Sequence, residues 1–361
     1  MHAWHDRRIL DLVGMELPII QAPMAGATTL DMVVAAGNAG GLGSLPSAQY
    51  SVPQLREELQ RFAKLSRKPI NVNFFSHVTP TPDPVAQMRW RSQLAPYCVE
   101  YGIDPAAPIA GAGRAPFDDG FCEVVEEFRP KVVSFHFGLP ERTLVERVKA
   151  TGAKVFSSAT TVQEAVWLEA NGVDAVIAMG FEAGGHRGNF LTADMNTQVG
   201  TMALVPQVVD AVAVPVIAAG GIADGRGVAA ALMLGASAVQ IGTAYLRTPE
   251  ARIPTSHSLA LGKAGDDSTA ITNLFTGRPA RGVVNRLMRE LGPMSDNVPA
   301  FPTAGAALSA IRAAAEARGR DDFTNLWSGQ AVKLAKAIPA EDLTKSLYEH
   351  ALSVLGAARR A

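Results

Sequence analysis

Cysteine is almost missing from this chain: two residues in 361, Cys98 and Cys122. Two thiols make neither a disulfide framework nor a thiolate metal cluster, and they suit a reducing compartment. Charge of one sign is missing as well. The 33 lysines and arginines meet 34 carboxylates, a net charge of −1, so nothing electrostatic favours nucleic acid or an anionic membrane as partner. No apolar run approaches the roughly twenty residues of a membrane span, and the opening MHAWHDRRIL lacks the apolar stretch of a secretory leader. A cytoplasmic location is the resulting expectation. The seven histidines form no His-x-x-x-His or His-x-His pair beside carboxylates, so no metal is expected. A Gly-x-Ser-x-Gly elbow and a Walker-type lysine loop are absent, and neither cysteine ends a predicted strand. A phosphate-bearing cofactor is then the natural source of any chemistry.

What is present is a large apolar fraction, 48%, punctuated by 33 glycines and 23 prolines. Short apolar runs recur, each followed by a small-residue turn and a helical stretch. Predicted strands are PIIQA (18–22), GGLGS (40–44), PINVNF (69–74), KVVSFHF (131–137), AKVFSS (153–158), DAVIAM (174–179), VPVIAAGG (214–221) and ASAVQIG (236–242). They are apolar on both faces, as strands of a covered parallel sheet must be. Between them, ERTLVERVKATG, TVQEAVWLEANG and GRGVAAALMLG carry helical periodicity and close on glycine, and Thr161 with Glu164 has capping-box spacing. Eight such units predict an α/β fold, a (β/α)8 TIM barrel. A doubly wound sheet is the competitor, and the even spread of strands favours closure. Two regions fall outside the repeat: a Pro/Gly-rich insertion after strand 3, about 76–120, and the chain beyond the barrel. The expected division is a barrel over 1–250 and a C-terminal, mostly helical cap on the substrate side over 251–361.

In such a barrel the functional groups sit where strands end. The loops after the seventh and eighth strands, AAGGIADGRG and QIGTAY, offer approachable backbone N–H groups where barrels often hold a phosphate. The alternative is that their glycines only make tight turns. After the sixth strand comes GFEAGGHRGNF, in which His186 is either a satisfied core or surface side chain or a ligand-facing one. Its place at a strand end among glycines favours the second. Histidine near a pKa of about 6.5 can donate, accept or carry charge. Arg187 and Glu182 flank it, as a surface ion pair or as site groups. His136, at the end of the fourth strand, is expected to face the barrel mouth as a substrate contact, with Arg187 as a second one.

QAPMAG, NVNFF, GFEAGGHRG, VIAAGGIADGRG and VQIGTAYL together closely resemble the nitronate monooxygenase family, formerly the 2-nitropropane dioxygenases, from about Pro18 to about Glu250; FTGRPARG (275–282) extends the likeness weakly. FHFGLP and SSATT suggest its first class. The resemblance implies an FMN enzyme that oxidises alkyl nitronates with O2 to a carbonyl compound and nitrite. It implies Ala22, Pro23 and Met24 along the flavin and Asn73 on the isoalloxazine edge. Met179, Gly180, Gly184, Gly185, Ala219, Gly220 and Gly221 would approach the flavin and its phosphate, and Gln240, Gly242 and Thr243 would complete the phosphate end. His186 would lie over the flavin as the catalytic residue, binding the anionic substrate first and acting as a base second. Many members have Gln where this chain has Met179. Arg278 and Arg281 could close the site over a carboxylate-bearing substrate such as propionate 3-nitronate. The partners implied are a small nitronate and O2, with a homo-oligomer left open. An FMN-dependent NAD(P)H reductase on the same fold, acting on enoyl-acyl-carrier protein or quinone, is the alternative activity.

Overall fold

In a computed structural model, which describes residues 6–108 and 114–358, all eight predicted strands form one parallel sheet. They are β1 (Ile19–Gln21), β2 (Gly43–Pro46), β3 (Ile70–Phe75), β4 (Val132–His136), β5 (Lys154–Ala159), β6 (Ala175–Met179), β8 (Val216–Ala219) and β9 (Ala238–Ile241). The spatial order is β1-β9-β8-β6-β5-β4-β3-β2. A parallel bridge between Ile20 and Leu42 closes the ring: Leu42 N–H donates to the Ile19 carbonyl at 3.0 Å and Gln21 N–H to the Leu42 carbonyl at 2.9 Å. The sheet is thus a barrel, not a doubly wound layer. Strands such as β6 are buried along their whole length because helices cover the outside and side chains fill the inside.

Local sequence starts the barrel helices where the pattern places them. Thr161 caps α7 (Val162–Ala170) by accepting from Glu164 N–H. The reciprocal half of the box is missing. The Glu164 carboxylate, fully buried, instead accepts from the Thr160 amide and hydroxyl, both at 2.7 Å, and from the Phe190 amide at 2.6 Å. It therefore ties a barrel helix to the chain just after His186.

The two regions outside the repeat are not separate. Within the insertion, α4 (Pro84–Tyr101), capped by Asp83, packs on α12 (Ala304–Glu316) of the C-terminal region. Trp90, Leu94 and Tyr97 share a core with Leu287, Leu308, Ile311 and Phe323, and Trp90 Nε1 donates to the Ala304 carbonyl at 3.2 Å. The helix that follows the insertion, α5 (Asp119–Phe128), belongs to the barrel wall, against α3 (Val52–Leu65) and α6 (Arg142–Ala150). The last helix, α13 (Ala340–Ala358), likewise is not part of a cap: it lies against α2 (Leu30–Asn38) and α9 (Gly225–Met233) in the outer ring. Gly225 permits that contact, since a Cβ there would stand 2.5 Å from Ala351 N. We therefore draw the functional division as a barrel including α13, crossed by a mixed lid of α4 and residues 264–328.

A small antiparallel sheet fastens lid to barrel. Its strands are β7 (Gly185–His186), β10 (Thr269–Thr272) and β11 (Ala280–Val283), and His186 pairs with Ala280 while Gly185 pairs with Arg281. FTGRPARG thus braces the loop that carries His186.

Candidate active site

The C-terminal ends of the barrel strands and the inner face of the lid enclose a cavity of about 530 Å³. That is within the range of small-molecule sites, roughly 300–1,000 Å³. Of the residues singled out from the sequence, Ala22, Pro23, Met24, Asn73, His136, Met179, Gly184, Gly185, His186, Ala219, Gly220, Gly221, Gln240, Gly242 and Thr243 line it. Gly180 and Arg187 do not.

Gly180 is required for packing: a Cβ there would run into the Thr201 hydroxyl. Arg187 is fully buried behind the loop, where its guanidinium donates to the carbonyls of Gly180 (2.7 Å) and Met179 (2.9 Å) and to Gln198 Oε1 (3.0 Å). Burial lowers its pKa to about 10. The expected substrate contact is replaced by a brace on the end of β6, because the side chain points back along its own loop. Glu182 has a similar role, accepting from the Thr201 amide (2.8 Å) and hydroxyl (2.8 Å) at the start of α8 (Thr201–Ala211). Arg281 donates to the Phe181 carbonyl at 3.0 Å, and Arg278 lies 4.0 Å above the Phe137 ring and donates to the Asn189 carbonyl. Neither lines the cavity.

His136 lines the cavity, yet both ring nitrogens have protein partners. A carbonyl only accepts, so Nε2 carries the proton and donates to the His186 carbonyl at 3.2 Å. Nδ1 then accepts from the Ser158 hydroxyl at 2.6 Å. Burial, and then the Arg278 cation, push its pKa down to about 3. It holds His186 in place and keeps neither nitrogen for substrate.

His186 is 9% exposed, inside a ring of Phe301, Trp327, Phe137 and Phe75 with centroids 5.3–6.1 Å away. Its Nε2 lies 2.9 Å from the Thr276 hydroxyl. Burial holds its pKa well below the ordinary value, and the cations Arg114 and Arg278 push the same way. The imidazole is therefore neutral at pH 7. Fixed positive charge comes from two arginines that sequence reading missed, Arg114 in the insertion and Arg312 on α12, both lining the cavity. Burial lowers the Arg114 pKa, and the charge acting on it is Arg312, another cation. Arg312 donates to Asn325 Oδ1 at 3.3 Å. Glu316 shares the lining, its carboxylate held by the Thr324 hydroxyl at 2.7 Å. A Gly/Pro-rich excursion and an alanine-rich helix gave these arginines no motif by which to be recognised.

The opposite end of the cavity is poor in side chains. Gly220 and Gly221 hold φ of 107° and 71°, a backbone that other residues rarely adopt. At Gly242 a Cβ would meet only Ala22 Cβ and Met24 Sδ, both at 3.7 Å, so protein neighbours do not demand the glycine; a side chain would fill the cavity instead. The N-terminus of α9 is closed by its own cap, the Asp224 carboxylate accepting from the Arg226 and Gly227 amides. An anion would thus meet the loops at 220–223 and 242–243 rather than the helix itself. Thr243 Oγ1 accepts from Gly329 N–H at 2.8 Å, fastening the chain here just where it leaves the lid. Gln240 Oε1 is buried in the cavity wall with no donor. Asn73 donates its amide to Ser134 O and Oγ at 3.2 and 3.0 Å, which orients its own Oδ1 as a remaining acceptor. Among the described residues no group of His, Cys, Asp and Glu could hold a metal, and no helix is long and apolar enough to cross a membrane.

Comparison with known proteins agrees over nearly the whole chain. The family model for nitronate monooxygenase matches residues 6–350. A nitronate monooxygenase from Pseudomonas aeruginosa is 40% identical over 344 residues, 95% of this chain and 98% of that protein. The solved structure of a nitroalkane oxidase from Streptomyces ansochromogenes superposes with a TM-score of 0.87 at 37% identity, covering 97% of this chain and 99% of the other. FabK from Thermotoga maritima is more distant, with a TM-score of 0.74 at 27% identity over 99% of both chains. A barrel whose loops meet at His186, matched end to end by these proteins, belongs to the nitronate monooxygenase family and is an oxidoreductase.

Proposed function

We propose that this enzyme binds FMN in the cavity and oxidises alkyl nitronates with O2, releasing a carbonyl compound and nitrite. The observation that carries the reading is the complementary build of the cavity. One end is a glycine-lined cradle at 220–221 and 242, suited to a phosphate, with an unpartnered Gln240 Oε1 beside it. The other end holds a neutral imidazole and two cations. FMN fits these residues: loop amides for the phosphate, Gln240 Oε1 and Asn73 Oδ1 as acceptors for ribityl hydroxyl or ring N–H donors, and Ala22, Pro23 and Met24 as the apolar floor. When bound, it supplies the electron-accepting chemistry that links the nitronate to O2.

The chain's own groups do the rest. Arg114 and Arg312 attract the anionic substrate and its second acid group where there is one, as in propionate 3-nitronate. His186, being neutral, offers one N–H or one lone pair and adds no charge of its own. Anion attraction therefore belongs to the arginines, and the imidazole positions the reacting end or takes a proton. The aromatic ring of Phe75, Phe137, Phe301 and Trp327 keeps bulk water from the reacting atoms.

The reading is tested by extracting the chromophore from purified protein, identifying it by mass, and measuring nitrite from ethyl nitronate and propionate 3-nitronate. Gly242→Val should yield folded protein without chromophore. Release of FAD or no flavin, or a yellow Gly242→Val protein, would contradict the assignment.

A further inference from the structure

The ring of His186 touches one hydrogen-bonding side chain, Thr276, with Nε2 and Oγ1 2.9 Å apart. Either atom could supply the proton, and the choice decides what the cavity sees. Two observations select the same answer. The Thr276 hydroxyl has a carbonyl within reach, Arg278 O at 3.4 Å, which can only accept; a hydroxyl proton turned that way leaves Oγ1 free to accept from His186 Nε2–H. The second observation is electrostatic. The charged groups facing the imidazole are Arg114 and Arg278, with His136 and His77 as neighbouring imidazoles, and Arg114 stands on the cavity side. A lone pair, not an N–H, is the favourable group to present to a cation. Among the described residues Nδ1 makes no hydrogen bond, and the ring lines the cavity, so with Nε2 engaged by Thr276 it is Nδ1 that is left for the cavity.

We propose that Thr276 is a positioning residue that fixes His186 in the Nε2–H tautomer, so that the Nδ1 lone pair faces the cavity, where the function proposed above has the imidazole take a proton. It comes from the FTGRPARG segment that also pairs with His186 through β11. The step is a simple transfer. The substrate's Cα–H bond breaks and its electron pair becomes the carbon–nitrogen double bond of the nitronate. The proton bonds to Nδ1, and the imidazolium so formed keeps donating through Nε2–H to Thr276 Oγ1. The proton then passes to solvent. This role for the lone pair rests on the nitronate-oxidising reading above, whereas the tautomer does not.

The direct test is nitrogen NMR of the holoenzyme labelled with 15N-histidine, with the His186 ring signals assigned by their loss in His186→Asn. The wild type should show a protonated Nε2 and an unprotonated Nδ1 at neutral pH. A protonated Nδ1 would overturn the proposal whatever the enzyme turns over. Thr276→Val should mix the two tautomers and Thr276→Ser should restore one; an unchanged His186 signature in Thr276→Val would also overturn it. In kinetics, Thr276→Val should lower the ratio of nitroalkane to nitronate kcat/KM at least about tenfold, with recovery in Thr276→Ser. Equal losses on both substrates in Thr276→Val, or no recovery in Thr276→Ser, would show a packing role instead.

Discussion

His136 Nε2 donates to the backbone carbonyl of His186 at 3.2 Å, so one histidine holds the other. The contact fixes the end of the sixth-strand loop from the side of β4, while the Ser158 hydroxyl fixes His136 from β5. Two residues on the neighbouring strands β5 and β4 therefore help set where the His186 ring stands on β7.

Removing the Ser158 link should be felt at His186. Ser158→Ala leaves His136 Nδ1 without its donor in a buried site, a cost of about 1–3 kcal/mol. The expected outcome is a lower Tm with flavin retained and a reduced kcat on nitronate. Wild-type kcat in Ser158→Ala would show that the link does not matter to the reaction.

Arg187 should behave as a structural residue despite standing beside His186 in the chain. Arg187→Met leaves the Met179 carbonyl and Gln198 Oε1 without the guanidinium and the Gly180 carbonyl with only the Ala183 N–H, and stability should fall by about 1–3 kcal/mol. Thermal unfolding should register the loss, and KM for propionate 3-nitronate in the folded fraction should stay within about twofold of wild type. A large KM increase with unchanged Tm would return Arg187 to the substrate.

The two cavity arginines make the opposite prediction. Arg114→Gln and Arg312→Gln should each raise KM for propionate 3-nitronate about tenfold, the effect of losing one charge-assisted contact of about 1.4 kcal/mol. KM for ethyl nitronate, which lacks the second acid group, should change much less. Equal effects on both substrates would place the arginines at the nitro end.

His77 makes a prediction about pH. It is 7% exposed with both ring nitrogens unpartnered, packed against Phe301 at 4.8 Å, and burial pushes its pKa down to about 4. The unfolded chain takes up this proton near pH 6.5, before the folded one does. Stability is therefore full above about 6.5 and declines as pH falls toward 4, by on the order of 3 kcal/mol at most. His136, held to about 3, acts in the same direction. His77→Phe should raise Tm at pH 5 more than at pH 7.5, measured by calorimetry; an equal shift at both would contradict the sign.

The barrel was legible because each strand is an apolar run of the right length followed by turn chemistry, and all eight appear. The second is offset, GGLGS giving way to Gly43–Pro46, because Gly40, with a φ of 94° and its N–H donating to the Gly37 carbonyl, still belongs to the turn that ends α2. The cavity floor was legible through loop motifs. The lid was not, since α4 and α12 join through contacts such as Trp90 to Ala304 that are 214 residues apart and leave no local pattern. For the same reason Arg114 and Arg312 escaped notice, while Arg187 and His136 drew attention by position and proved to hold the backbone.

The most direct measurement is oxygen uptake by the purified protein with propionate 3-nitronate and no pyridine nucleotide. Immediate O2 consumption with nitrite formation is expected, with little change on adding NADH or NADPH. No uptake until NADH or NADPH is added, with none from the nitronate alone, would contradict the nitronate-oxidising reading and assign the cavity to a reductase.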